Sequence, residues 1–356
     1  MNDPKPRKHS RIGLYAPYIL LLLVLAGWTV WWFYLADQVR QRLDQQAQGL
    51  RGAGWQVAYV DGGVSGWPFR TKVAFDHVSV TAPSGHAVAA PRLVAEANAY
   101  DPQTWVVVAP DGVTLTRAAK GKLAIRATAI RMSVHGLTQR WPNVALELAQ
   151  AQFTPLPGAE PFPIMRAERV QMYLRPHRAQ PGQAAADTSV DLLFRLIDAD
   201  ARPGGPVEGM TQGGKLTVQL ETVIERADRL NGGDPAGLFA TWTRSGGRFS
   251  RIRGELAAGE SKATLSSDVL SASADGRLNG QLAMTAVSPM SAIAGLAQSN
   301  TDRPGTGVGD RMGAVAAAGA AAATGQDDKP VELTVVFRNG RAFLGPFALA
   351  PAPKLF

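Results

Sequence analysis

Apolar residues fill the chain from Ile12 to Leu35 without a single charge. As a helix rising 1.5 Å per residue, this run reaches about 36 Å, enough to cross a hydrocarbon core of roughly 30 Å with some tilt. A buried helix of a soluble protein rarely runs so long without a polar face. Aromatic residues gather at both ends, Tyr15 and Tyr18 at the first, Trp28, Trp31, Trp32 and Tyr34 at the second. Membrane-interface belts have this distribution. The pattern predicts a transmembrane anchor over residues 12–35, with those six aromatics as interface anchors. Beyond it Val39, Leu43, Ala47 and Leu50 recur at helical spacing, which predicts a helical stalk over residues 36–51. Gly52 and Gly54 stop it.

From Trp55 onward the period changes. Val144, Leu146 and Leu148 alternate with polar neighbours, as do Val170, Met172 and Leu174, then Leu216, Val218 and Leu220, and late in the chain Leu333, Val335 and Phe337. Strict alternation gives strands with one dry and one wet face, the signature of antiparallel sheets. No regular alternation of strand and amphipathic helix is present, which argues against a parallel α/β fold. In two places the phase flips, between Phe75 and Val78 and between Ile125 and Ile130. Each flip demands a turn or a bulge, so the sheet is expected to be long and bent.

Helices are few. Asp234-Pro235 ahead of AGLFATWTRSGG predicts a helix with Asp234 as N-cap and Gly246 as its stop. A second is expected after Ser288-Pro289. Residues 301–329 form a flexible Ala/Gly-rich segment by composition. Residues 55–356 are thus expected to form a β-rich domain. Clusters at Pro181-Gly182 and Pro203–Pro206 leave open whether it is one module or two meeting near 180–210.

Flanking charge sets the orientation. The first eleven residues form a basic tail with Lys5, Arg7, Lys8 and Arg11, whereas Arg40 and Arg42 follow the span. The excess on the leading side places the N-terminus in the cytoplasm. The main domain is then expected in the periplasm of a bacterial inner membrane. The apolar run is too long for a cleaved signal peptide and ends in Trp-Trp-Phe-Tyr-Leu rather than small residues, so it is read as an uncleaved anchor.

Composition narrows the chemistry. The 356 residues include no cysteine, which excludes disulfides, thiolate metal sites and cysteine nucleophiles. The net charge of +8 is spread thinly and lacks the basic-aromatic pattern of nucleic-acid binding. His9, His77, His86, His135 and His177 show no metal-ligand spacing. No nucleophile elbow, phosphate loop or dinucleotide fingerprint occurs. No catalytic residue, metal site or cofactor is expected.

Two short motifs remain. Gly66-Trp67-Pro68-Phe69-Arg70 follows a Gly-rich turn at Gly62-Gly63 and reads either as a hydrophobic plug fixing the first hairpin or as the rim of a groove. Asn339-Gly340 supplies a hairpin turn. With the Tyr100–Pro102 segment, the stretch Arg253–Pro289 and the ending NGRAFLGPFALAP, these residues resemble an alphaproteobacterial family, domain of unknown function 2125. Trp67 stands where that family more often has Tyr. More loosely, the ending resembles AsmA-like envelope proteins. That resemblance implies an anchored, groove-shaped β-protein concerned with moving phospholipid between membranes.

A sheet with one apolar face must cover it. With few helices available, a curled sheet lined by its own apolar residues follows, and its trough could accept an acyl chain. The expected function is binding of lipid or another apolar envelope component in a β-lined groove, possible partners being phospholipid and an envelope protein. The alternatives are a non-enzymatic scaffold presenting the sheet to a protein partner, or a hydrolase whose residues converge only in the fold.

Overall fold

The computed structural model describes residues 12–178, 188–287 and 330–356. The basic tail, the segment after Ser288-Pro289, the Ala/Gly-rich stretch 301–329 and Pro181-Gly182 lie outside the described residues.

Helix α1 runs unbroken from Ile12 to Gly52. Its first part exposes apolar side chains all round, from Tyr15 through Leu25, whereas Trp32, Leu35, Ala36 and Ala47 are buried. Their spacing is that of one helical face. Leu50, expected on that face, is exposed. The chain leaves the helix through Gly54 at φ 86°, a conformation that favours glycine.

Most of the other described residues belong to one antiparallel sheet. Its first half comprises β1 (Gln56–Ser65), β2 (Arg70–Thr81), β3 (Ala87–Asn98), β4 (Asp101–Val108), β5 (Val113–Thr116), β6 (Lys122–Arg126), β7 (Ala129–His135) and β8 (Asn143–Pro155). There follow β9 (Ile164–Pro176), β10 (Val190–Ala201), β11 (Leu216–Ile224), β12 (Arg248–Ala258) and β13 (Ser261–Ala272). The last are β14 (Leu278–Val287), β15 (Val331–Arg338), β16 (Arg341–Leu344) and β17 (Phe347–Pro351). Strands pair with their sequence neighbours as a meander. Two lanes are broken: β4 and β5 lie end to end against β3, and β6 and β7 end to end against β8. Strands β9 and β10 stay in register from Val190↔Pro176 to Ala199↔Ala167. The ladder therefore passes from β9 to β10 without a break in register over that stretch.

Both phase flips have a structural cause. His77, at φ 51°, is the extra residue of a bulge: Ala58 pairs with Ser79, but Val60 pairs with Asp76. The second flip belongs to a larger feature. The register brings Thr128, Gln150, Glu168 and Asp198 opposite one another, at points where the ladders are interrupted. Gln150 and Asp198 have positive φ. At this line the apolar series switches from even to odd positions on β8, Leu148 giving way to Ala151 and Phe153, and β9 and β10 switch with it. A kink shared by four lanes bends the sheet without mismatching them.

Beyond the kink lies the cluster with the most buried residues among those described. Ala151, Ala167 and Ala199 pair across three strands and are fully buried, with Leu123, Phe153 and Leu216 around them. Helix α2 (Pro206–Thr211) lays Val207 and Met210 on this cluster. At the opposite end the β11–β12 connection folds over the apolar side, burying Trp242 completely against Val190 and Ile224. Helix α3 in this connection spans only Ala240–Arg244, shorter than expected. Asp234 is not its N-cap. Its Oδ1 instead accepts from the Ala236 N–H and its Oδ2 from Thr241 and Arg244, while Gly237 at φ 118° interrupts any helix begun at Pro235. Gly246, at φ 73°, does end the helix.

The sheet also rolls. Trp55, leading into β1, lies against Gly232 in the β11–β12 connection, where a Cβ would come within 2.7 Å of the indole. Phe356 lies against both Gly237 and Gly276, joining that connection to the β13–β14 turn.

Candidate functional site

Apolar side chains form a row across the face between the two cores. Val107 on β4 pairs with Met132, Met132 with Leu146, Leu146 with Met172, Met172 with Phe194 and Phe194 with Leu220. The row continues through Gly254, Leu265 and Met284 to Leu333 on β15. Its side chains are half-buried, in contrast to the closed clusters at either end. Nine strand-to-strand steps of about 4.8 Å give the band a length of about 43 Å. Gly254 contributes no side chain, and Leu265 lies over it, 3.4 Å from where a Cβ would stand.

The reverse face is polar in the adjacent row. Arg131, Glu147, Gln171, Arg195, Gln219 and Glu255 succeed one another on six strands. Arg131 grips Glu147 through Nε at 2.9 Å and Nη2 at 2.5 Å, with Arg169 Nε at 3.6 Å. The Arg131 hydrogen bond holds the Glu147 carboxyl below the usual carboxylate range, outweighing the opposing effect of burial, and the charges of Arg131 and Arg169 act in the same direction. A cavity of about 850 Å³ opens on this face, with Tyr173, Leu193, Glu221 and Arg253 in its wall. At its edge Asp191 meets His177 Nδ1 at 2.5 Å and Arg175 Nε at 3.0 Å. An aspartate orienting a histidine is two parts of a nucleophilic triad. Among the described residues no serine or threonine hydroxyl is hydrogen-bonded to that ring, and no three His, Asp or Glu are grouped to hold a metal ion.

The expected interface aromatics divide into two sets. Tyr15, Tyr18, Trp31 and Tyr34 are exposed on α1. Trp28 and Trp32 instead turn toward the sheet, where their indole N–H groups donate to the carbonyl oxygens of Pro68 and Arg70 at 2.7 and 2.8 Å. Trp32 packs with Leu35, Ala36, Ala99 and Val64. An indole needs a partner for its N–H when it leaves water, and the first hairpin supplies one to each.

Those acceptors belong to the Gly66–Arg70 motif, so the helix and the motif form one joint. Trp67 is 49% and Phe69 66% exposed, and the motif meets α1 through the backbone carbonyls of Pro68 and Arg70. Gly66, at φ 105°, lies so close to Arg70 that a Cβ would come within 2.7 Å of its carbonyl oxygen. Arg70 pairs with Glu96 at 3.2 Å, and the Ala99 N–H donates to Phe69 O at 2.8 Å. Sequence reasoning found both partners of this joint but not their contact. Each lone tryptophan looked outward because the helix is apolar on every side.

Neither a curated protein nor a solved structure matches this chain. A family model does, over residues 32–353, beginning at the buried Trp32. By that match the chain belongs to the family described as an uncharacterized protein conserved in bacteria (DUF2125).

Proposed function

We propose that this protein is a single-span envelope protein whose β-rich domain binds an acyl chain, or a comparably apolar envelope component, along the apolar band. The N-terminal apolar helix and the β-rich domain fit a membrane-anchored protein. The basic flank of the helix favours a cytoplasmic N-terminus and a periplasmic domain in an inner membrane. The observation that carries the ligand reading is the half-buried row from Val107 to Leu333, left between two cores that are closed. One leaflet's hydrocarbon is about 15 Å deep, so the band is longer than one acyl chain. Each CH₂ transferred there would contribute on the order of 0.8 kcal/mol, and a ligand would cover side chains that the fold leaves partly wet. Polar selectivity is not required of such a site.

Native mass spectrometry of the full chain extracted in mild detergent tests the reading. Co-purified phospholipid is expected. Met172→Glu, in the middle of the band, should remove it while leaving the far-ultraviolet circular dichroism unchanged. A lipid-free protein, or lipid retained equally by the variant, overturns the proposal.

A further inference from the structure

We infer that the sheet tip carrying Trp67, Phe69 and Tyr100 inserts into the interfacial layer of the same bilayer that α1 crosses. This rests on the single-span reading above. The position of the joint supports it. Trp28 lies sixteen residues beyond Ile12, about 24 Å along a helix, against roughly 30 Å of hydrocarbon. Its hydrogen bond to Pro68 holds the Gly66–Arg70 turn at that level. A helix that spans the bilayer from Ile12 therefore carries the turn to within about 6 Å of the far boundary of the hydrocarbon.

The turn has the chemistry of that layer. Trp67 and Phe69 flank Pro68 and are exposed, and Tyr100, 71% exposed, stands on the neighbouring β3–β4 turn. The Ala99–Phe69 hydrogen bond ties the two turns together. Three large rings exposed side by side are unfavourable in water. Amphipathic aromatic rings are at home at the headgroup level. The exposed α1 residues Val30, Trp31 and Phe33 carry the same apolar surface alongside. Insertion would also set the edge of the rolled sheet, where Val64 packs on Trp32, directly against the leaflet.

The absence of cysteine allows one environment-sensitive fluorophore to be placed on each of four full-length variants, Phe69→Cys, Tyr100→Cys, Leu22→Cys and Glu260→Cys. Each is reconstituted in phosphatidylethanolamine–phosphatidylglycerol vesicles. At 69 and 100 the emission should shift to the blue relative to 260 and lose intensity to a nitroxide carried near the lipid headgroup. At 22 the loss should come from a nitroxide deep in the acyl chain. Probes at 69 and 100 that behave like 260, with 22 still quenched in the bilayer, overturn the inference alone. A probe at 22 quenched only by aqueous iodide overturns the anchor reading and the inference together.

Discussion

The indole N–H of Trp32 donates a 2.8 Å hydrogen bond to the carbonyl oxygen of Arg70, joining a membrane-type helix to the second strand of the sheet. Trp32 is only 5% exposed, so removing its donor leaves a carbonyl with no partner in a partly closed site. Trp32→Phe should cost about 1 kcal/mol. Hydrogen exchange should rise selectively over residues 66–70, with the remainder of the sheet unchanged. Equal protection in the variant would show that the joint does not depend on this bond.

Gly247 has no room for a side chain. A Cβ there would fall 2.2 Å from the ring of Trp242, which is wholly buried and whose Nε1 donates to Glu225 O at 2.6 Å. Gly247→Ala should destabilise the protein by about 1–3 kcal/mol through overpacking, read as a lower urea midpoint. Gly158→Ala, at an open position with φ 79°, separates steric from backbone effects, since only backbone strain applies there.

Asn339 and Gly340 join β15 to β16 through two residues at φ 51° and 73°, with Arg338 opposite Arg341. Both central residues are left-handed, as a type I′ turn requires. Gly340→Ala should therefore cost about 1–2 kcal/mol, and a thermal melt should register the loss. An unchanged melting temperature would mean that the hairpin contributes nothing to the cooperative unit.

Acid should weaken the Arg131–Glu147–Arg169 group. Because the folded-state pKa of Glu147 is depressed, its contribution is fully present above the ordinary glutamate value of about 4.3. It is lost as pH falls through the lower folded value. The partners are substantially exposed, so the group contributes no more than about 1 kcal/mol. Glu147→Gln should be less stable than the parent at pH 7, and denaturant titrations should show the two converging below the ordinary value. A difference that persists at pH 3 would assign the effect to packing instead.

Several elements are legible in the order of residues alone. The period of two in Val144–Leu148 and Val170–Leu174 corresponds to β8 and β9, and the uncharged run from Ile12 to the start of α1. The pair Asn339-Gly340 forms the two-residue turn its composition implies. The helix expected at Asp234 fails for a local reason: Asp234 uses both carboxylate oxygens on a turn and on Thr241 and Arg244, and nothing in the neighbouring residue types separates that use from an N-cap. The kink line is half visible. The flip between Ile125 and Ile130 can be read, but its alignment with Gln150, Glu168 and Asp198 depends on three other strands.

Sequence alone determined the properties that each segment carries by itself: an apolar helix of membrane length, two-faced strands, and glycines where the chain turns. These follow from side-chain period and backbone sterics over a few residues. Only the tertiary structure decided which faces meet. Register placed Met132 and Leu333 in one row although some two hundred residues separate them, and packing turned Trp28 and Trp32 inward on a helix whose surface offers no polar stripe to orient it. Pairing between distant segments is a property of the assembled sheet, because each strand's partner is fixed by where its neighbours have already placed their own hydrogen-bonding edges.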